Sequence, residues 1–459
     1  MTPTKSIRPV KRRAVVGWIL FDWATQPYFT LVTTFVFAPY FATQLAANEA
    51  QGQALWGYAT AAAGLTIAIF SPILGAIADA HGRRKPWILA FSVLLFAGSA
   101  TLWFGAPGGH ETIPLVLFAF VIATIGAEFA TVFTNAMMPD LAKRGNLGRL
   151  SGYGWAVGYL GGLVSLVIVL GFMTASTKTG KTLLGFEPIL GLDPHASEGD
   201  RASGPFSALW FALFSLPLFL FTPDIAPKAS LGKAVRTGIE TWRQTLMRLK
   251  DHREILAFLI ANMAYKDGLT ALFAFGGIYA AGILGWTTIE IGLFGILILV
   301  SGTFGAVIGG SLDDRVGAKT VISVALIILI MCCIGLVSVD RDYIFFVVKV
   351  APPDPDRALF QSAPEIMYLI LGGILGAISG PLQSASRTML ISLAPRDELT
   401  KFFGLFAMSG KITSFLAPLS VAAITSLSGS QRIGISIIIA FFVVGLLLLS
   451  RVRAAQSSD

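Results

Sequence analysis

The chain has 459 residues, is 54% hydrophobic and 13% charged, carries 34 Phe and has a formal net charge of +8. Soluble proteins carry about 25% charged residues, and no soluble domain of this size hides so much apolar sequence, so the class is an all-α polytopic membrane protein. The basic excess recurs in short loops rather than on one patch, which argues against nucleic acid and for the Lys/Arg bias of a membrane protein's inner side.

A basic tail (Lys5, Arg8, Lys11, Arg12, Arg13) precedes an apolar run. That run exceeds the roughly 7–15-residue core of a signal peptide, so it is read as a retained first helix. The expected helices of the first half are 15–45, 54–80, 87–106, 112–139, 147–173 and 205–222. A polar linker follows, then 254–284, 288–312, 318–339, 364–393, 400–427 and 432–450. Twelve crossings put both termini on one side. Of the 34 Lys and Arg, 24 fall on that side, 7 on the other and 3 inside the membrane, which places both termini in the cytoplasm. The expected division is residues 1–223 as one six-helix bundle, 224–253 as a linker and 254–459 as a second bundle.

The linker segment LGKAVRTGIETWRQTLMRLK alternates apolar and basic residues at helical spacing, so part of it is expected along the inner membrane surface as a strap. Two outer loops, 174–204 and 340–363, are polar. Gly180-Lys181-Thr182 lacks the earlier Gly and the strand of a nucleotide-binding loop and carries no such function. Cys332 and Cys333 are neighbours in an apolar run and point apart, which argues against a disulfide or a metal pair.

GAIADAHGRRK, Gly75 to Lys85, is a short basic turn between two apolar runs, and GSLDDRVGAK, Gly310 to Lys319, repeats its pattern. The spacing resembles the signature loop between helices 2 and 3 of the major facilitator superfamily of secondary transporters. A second repeat supports duplication. Residues 137–159 align without gaps on 389–411 with seven identities, including Arg144 with Arg396 and Gly158 with Gly410. The offset there is 252, against 235 between Asp79 and Asp314, and the loop 340–363 can absorb the difference. Two related six-helix halves suit a rocking transporter. The resemblance implies that Asp79 sits near Leu399–Lys401 at the start of helix 11, and Asp314 near Leu147–Arg149 at the start of helix 5. Asp79, Arg83, Arg84, Asp314 and Arg315 are thereby candidate gating residues.

Ionisable groups deep in the membrane are costly unless paired or hydrated. Six are expected there: Asp22, Glu128, Lys266, Asp267, Arg387 and Lys411. Helical spacing puts Asp22, Gln26 and Thr30 on one face of helix 1, and Glu128, Thr131 and Asn135 on one face of helix 4. It also groups Asn262, Lys266 and Thr270 in helix 7, Gln383 and Arg387 in helix 10, and Trp155 over Tyr159 in helix 5. Tyr28, Trp23 and Tyr265 are aromatic candidates for the lining. Lys411 matches the repeat position of Tyr159, and Arg387 that of Asn135. Lys411 is expected near mid-helix, facing either a substrate anion, the favoured partner, or an internal carboxylate such as Asp267 or Glu128. Glu128 is the first candidate proton carrier and Asp22 the second.

FDWATQPYFTLVTTFVFAPYFA (21–42) and SPILGAIADAHGRRKPW (71–87) resemble the vacuole-effluxer-like family of the superfamily, which includes fungal vacuolar amino-acid effluxers. The resemblance implies the major facilitator fold, alternating access and amino-acid export. The expected ligand is a small polar or zwitterionic solute; Lys266, Lys411 or Arg387 would hold a carboxylate, and Asp22, Glu128 or Asp267 an amine or proton. A proton-driven exporter of amphipathic drugs or lipids, and a non-transporting sensor, remain open alternatives. No cofactor or metal is expected, and the four His (His81, His110, His195, His252), all placed in loops, complete no enzyme motif. The other expected partner is the lipid bilayer, and the chain is expected to act as a monomer in a bacterial inner membrane.

Overall fold

The computed structural model describes residues 11–46, 49–142, 144–177, 179–247, 252–286, 288–350 and 360–453. The basic tail before Lys11, linker residues 248–251 and part of the 340–363 loop lie outside them. With no water in the bilayer core, each backbone N–H and C=O must be satisfied within the segment, and the apolar runs accordingly form helices. These are helix 1 (beginning Arg12–Pro27), helix 2 (Glu49–His81), helix 3 (Lys85–Thr101), helix 4 (Ile113–Met137), helix 5 (Leu147–Ile168) and helix 6 (Glu198–Phe221). A linker helix, Leu231–Met247, leads to helix 7 (Arg253–Leu284), helix 8 (Thr288–Val316), helix 9 (Ala318–Val337), helix 10 (Ala363–Leu393), helix 11 (beginning Leu399–Ile412) and helix 12 (Gln431–Ser450). Among the described residues eleven helices are long and apolar enough to cross a membrane; the broken helix 1 makes twelve crossings. A two-residue hairpin, Tyr343–Ile344 with Val348–Lys349, sits in the 340–363 loop.

Two helices read as continuous are broken. Helix 1 passes from its α-helical start into a π-helical stretch, Tyr28–Phe35, then a short turn, Phe37–Tyr40, and a second π-helical stretch, Phe41–Leu45. Proline lacks the N–H that a helix needs, and Pro27 leaves the Trp23 carbonyl without its helical donor. Trp210 Nε1 on helix 6 donates to that carbonyl at 3.1 Å, and the two indoles stack at 5.4 Å. Trp23 therefore packs on helix 6. Helix 11 stops at Ile412 and restarts as Leu416–Ser428. Pro418 cannot donate to the Ser414 carbonyl, and proline is tolerated in a first helical turn, where its missing N–H costs nothing. Lys411 thus lies in the last turn of a half-helix, not at mid-helix, and the partial negative charge there favours a cation.

Helix 5 packs along helix 8, and helix 2 along helix 11, which joins the first six helices to the last six. Glycines allow the approach: a Cβ on Gly310 would stand 2.5 Å from the Gly148 carbonyl oxygen, and one on Gly75 would stand 2.5 Å from that of Thr400. The linker helix lies against helix 2, and His81, the last residue of helix 2 rather than a loop residue, has Nδ1 3.0 Å from the Ala229 oxygen. Asp224, just after helix 6, accepts from the N–H groups of Arg84 (3.0 Å) and Lys85 (3.2 Å), so an anion caps the start of helix 3.

Candidate functional site

Helices 1, 4, 5, 7, 10 and 11 surround a cavity of about 370 Å³ between the two sets of six. Asp22, Gln26, Glu128, Thr131, Asn135, Tyr159, Asn262, Lys266, Gln383 and Arg387 line it. A second cavity of about 320 Å³ shares Gln26, Phe29, Tyr159 and Phe273 with it and continues past Thr30 and Phe35, away from the side that carries the termini.

Four of the six interior charges are paired across the two halves. Arg387 of helix 10 donates from Nη1 and Nη2 to Asp22 Oδ2 of helix 1, both at 3.1 Å. Its guanidinium lies 5.0 Å from the ring of Trp155 and 5.9 Å from that of Trp18, a placement that suits a planar cation. Lys411 Nζ stands 2.8 Å from Glu128 Oε1, with side-chain exposures of 28% and 22%. Lys411 therefore has an internal partner in this state, contrary to the favoured expectation of a substrate anion, and it stands behind Glu128 rather than in the lining. Gln383 Nε2 donates to Tyr159 Oη at 2.7 Å, a neutral link across the same divide.

Lys266 differs from these. It lines the cavity, lies 5.5 Å over the Phe406 ring and packs against Gly410, yet it forms no ion pair with a described carboxylate. Around it, Asn262 Nδ2 reaches Ser409 Oγ at 3.4 Å, and Tyr265 Oη lies 2.8 Å from Ser386 Oγ. Asn135 Oδ1 is buried without a hydrogen-bond partner.

Besides Lys411, two expected site residues lie outside the lining. Tyr28 is buried between helices 1 and 4, with its hydroxyl 2.7 Å from Thr124 Oγ1 and 3.2 Å from the Phe120 carbonyl oxygen, so it serves packing. Asp267 is 1% exposed and absent from the cavity wall. One residue of helix turns a side chain by about 100°, so Lys266 and Asp267 cannot share a face. Sequence reasoning missed Phe29, Phe273, Phe403 and Phe406 in the lining, because 34 Phe in an apolar chain give no contrast. It also missed Lys401, 1% exposed and 2.7 Å from Glu398, because a cation beside a loop reads as solvated.

At the end that carries the termini, the signature loops grip the opposite half. Asp79 accepts from Thr400 N (3.2 Å) and Lys401 N (2.8 Å) at the start of helix 11. Asp314 accepts from Gly148 N (2.7 Å) and Arg149 N (3.0 Å) at the start of helix 5. These partners are the same repeat positions, 252 residues apart. Buried Arg84 reaches Asp140 Oδ2 at 2.7 Å and Thr400 Oγ1 at 3.3 Å. Arg83 and Arg315 are exposed and lie outside these contacts. Asp313, beside Asp314, is buried and accepts from the Thr388 hydroxyl.

Twelve crossings, a polar cavity between two sets of six and paired loops closing one end define a transporter of the major facilitator superfamily. Solved structures agree on the fold. The fucose transporter FucP in its outward conformation matches with a TM-score of 0.70 at 15% identity, over 96% of this chain and 99% of that one. The human organic anion transporter MFSD10 matches at 0.67 and 14%, over 96% and 100%. The chain belongs to the family described as vacuole effluxer Atg22 like, whose model matches residues 51–147 and 142–459. The uncharacterized MFS-type transporter YxiO of Bacillus subtilis strain 168 is 26% identical over 451 residues, 96% of this chain and 95% of that protein. Autophagy-related protein 22 of Cryptococcus neoformans var. neoformans serotype D (strain JEC21) is 26% identical over 328 residues, 67% of this chain. The chain spans about half the length of that fungal relative.

Proposed function

We propose that this protein is a secondary transporter working by alternating access, and that its substrate is a small solute bearing a carboxylate, an amino acid being the best fit. The observation that carries this reading is Lys266. Of the three interior cations, Arg387 and Lys411 already have carboxylate partners, which leaves one ammonium facing the cavity. Glu128 and Asp267 act on that ammonium from beyond contact distance, but a part-buried cation with no carboxylate in contact is costly, and a substrate carboxylate relieves that cost. Asn262, Gln383, Tyr159 and Asn135 offer hydrogen bonds, and the carboxylates of Asp22 and Glu128 lie within the same wall for an ammonium. The Phe side chains accommodate an apolar substituent.

Glu128 is the proposed proton carrier, with Asp22 second. A proton on Glu128 releases Lys411, so protonation and rearrangement across the two halves are linked. Residues 1–223 and 254–459 are the proposed rocking units, tied by 224–253, and the signature-loop contacts hold the terminal end shut. The bacterial relative supports a bacterial cytoplasmic membrane, and the Lys and Arg bias supports both termini inside. On that orientation the described state faces outward. One chain completes the cavity, which supports a monomer.

The test is a melting screen of the purified protein with amino acids, their decarboxylated amines and their amides. Stabilisation by the carboxylate-bearing members, lost in Lys266→Met, supports the reading. Stabilisation by the amines alone refutes it and favours a cation exporter.

A further inference from the structure

Asp267 plays no part in the substrate cavity, and its surroundings are those of an ion site. Its residue is 1% exposed, and Oδ1 is buried with no hydrogen-bond partner. Beside it lies Thr413, whose hydroxyl directs its hydrogen bond at this carboxylate and whose Oγ1 is buried with no close partner. Buried polar atoms are almost always satisfied, and a buried carboxylate oxygen left bare is among the costliest exceptions. The one charged side chain acting on Asp267 is Lys266, and it forms no ion pair with it.

Thr413 sits in the break of helix 11. There the backbone leaves the helical pattern. The Leu416 N–H, which a continuous helix would give to the Ile412 carbonyl, goes to Thr413 at 2.8 Å. Pro418 has no N–H for the Ser414 carbonyl. The Ile412 and Ser414 carbonyls are therefore without helical donors, while the Lys411 carbonyl accepts from Ser414, and the end of the half-helix Leu399–Ile412 carries its partial negative charge. A buried carboxylate, a hydroxyl and released carbonyls at a helix break are an all-oxygen donor set with net negative charge, the chemistry that holds a dehydrated alkali cation in a discontinuous membrane helix.

We propose that Asp267, Thr413 and the backbone at the break of helix 11 form a site for a monovalent alkali cation, for which sodium is the probe. The inference rests on the reading of Lys266 as the substrate's carboxylate holder for its consequence, but not for its existence. Asp267 and Lys266 are consecutive residues of helix 7. A cation on Asp267 removes the nearest negative charge acting along that helix on Lys266, so the ammonium attracts a substrate anion more strongly. By reciprocity the substrate raises the affinity for the cation. The site thus couples sodium to substrate without touching it.

The test uses the full-length protein in detergent without substrate, so its outcome is independent of the proposed substrate. Melting is followed as NaCl replaces choline chloride or KCl at constant ionic strength and fixed pH. The expected result is a saturable rise in Tm with sodium alone, absent in Asp267→Asn and weakened in Thr413→Ala. If Asp267→Asn does not fold, the Thr413→Ala titration decides. Equal melting in all three salts overturns the proposal. So does a sodium shift that survives in the variants, which places the ion elsewhere. A Tm that follows pH but not sodium, with the dependence lost in Asp267→Asn, assigns the site to a proton and also overturns it.

Discussion

The Lys411–Glu128 pair gives a quantitative prediction. The two side chains meet at 2.8 Å from opposite halves, with exposures of 28% and 22%. An exposed pair contributes roughly 0–1 kcal/mol, while removing one partner of a fully buried pair costs about 3–5 kcal/mol. Glu128 faces the cavity with Lys411 behind it, so this part-buried pair lies between those limits. Lys266, whose charge also acts on Glu128, softens the loss. The expected cost of Lys411→Met is therefore about 2 kcal/mol, from the exposure and the second cation. Glu128→Gln should cost a similar amount, because it strands the ammonium at the end of the half-helix. In the double variant neither charge is stranded, so the two losses should not add, and the coupling should be about 2 kcal/mol against an additivity error of about 0.3–0.5. The assay is a melting comparison of wild type, both single variants and the double variant in one detergent without substrate. Additive losses would refute the pairing. A Lys411→Met protein as stable as wild type that binds substrate poorly would return Lys411 to the substrate.

Asp79→Asn removes the charge from two hydrogen bonds at the start of helix 11. At about 1–2 kcal/mol it should shift the population towards the state open on the terminal side by about 5–30-fold, read as faster labelling of a cysteine placed in that half of the cavity; unchanged labelling argues against a latch. Gly75→Ala should act in the same direction by steric means, since its Cβ would stand 2.5 Å from the Thr400 oxygen. Retained closure there would mean the backbones separate easily. Glu128→Gln should abolish gradient-driven accumulation while sparing substrate exchange, and undiminished uphill transport in that variant would remove Glu128 as the proton carrier.

Much of the architecture was legible because lipid allows so few solutions. Apolar run lengths set the helices, and the resemblance of the two GxxxD loops to the superfamily's signature loop implied contacts near Leu399–Lys401 and Leu147–Arg149, where Asp79 and Asp314 do bond. Interior charges stood out by their rarity, and Asp22, Glu128, Lys266 and Arg387 do line one cavity. Pairing was not legible. Asp22 and Arg387 are 365 residues apart, and which cation meets which anion depends on how two bundles dock. Two misreadings had local signals. Helical spacing already separated Asp267 from Lys266. Pro418 and Pro27 already marked carbonyls without donors, yet helices 11 and 1 were read straight through them. Trp155 and Trp18 flank Arg387, but an aromatic side chain in an apolar run carries no label for that role.

The most direct test of the central claim is counterflow in proteoliposomes containing the purified protein. Vesicles loaded with an unlabelled amino acid and diluted into a trace of labelled substrate, with no ion gradient, measure exchange through one binding site. The account predicts saturable uptake of carboxylate-bearing solutes by wild type and its loss in Lys266→Met, with the variant still folded by its melting curve. Uptake in Lys266→Met equal to wild type, or wild-type exchange of amines but of no carboxylate, would contradict it.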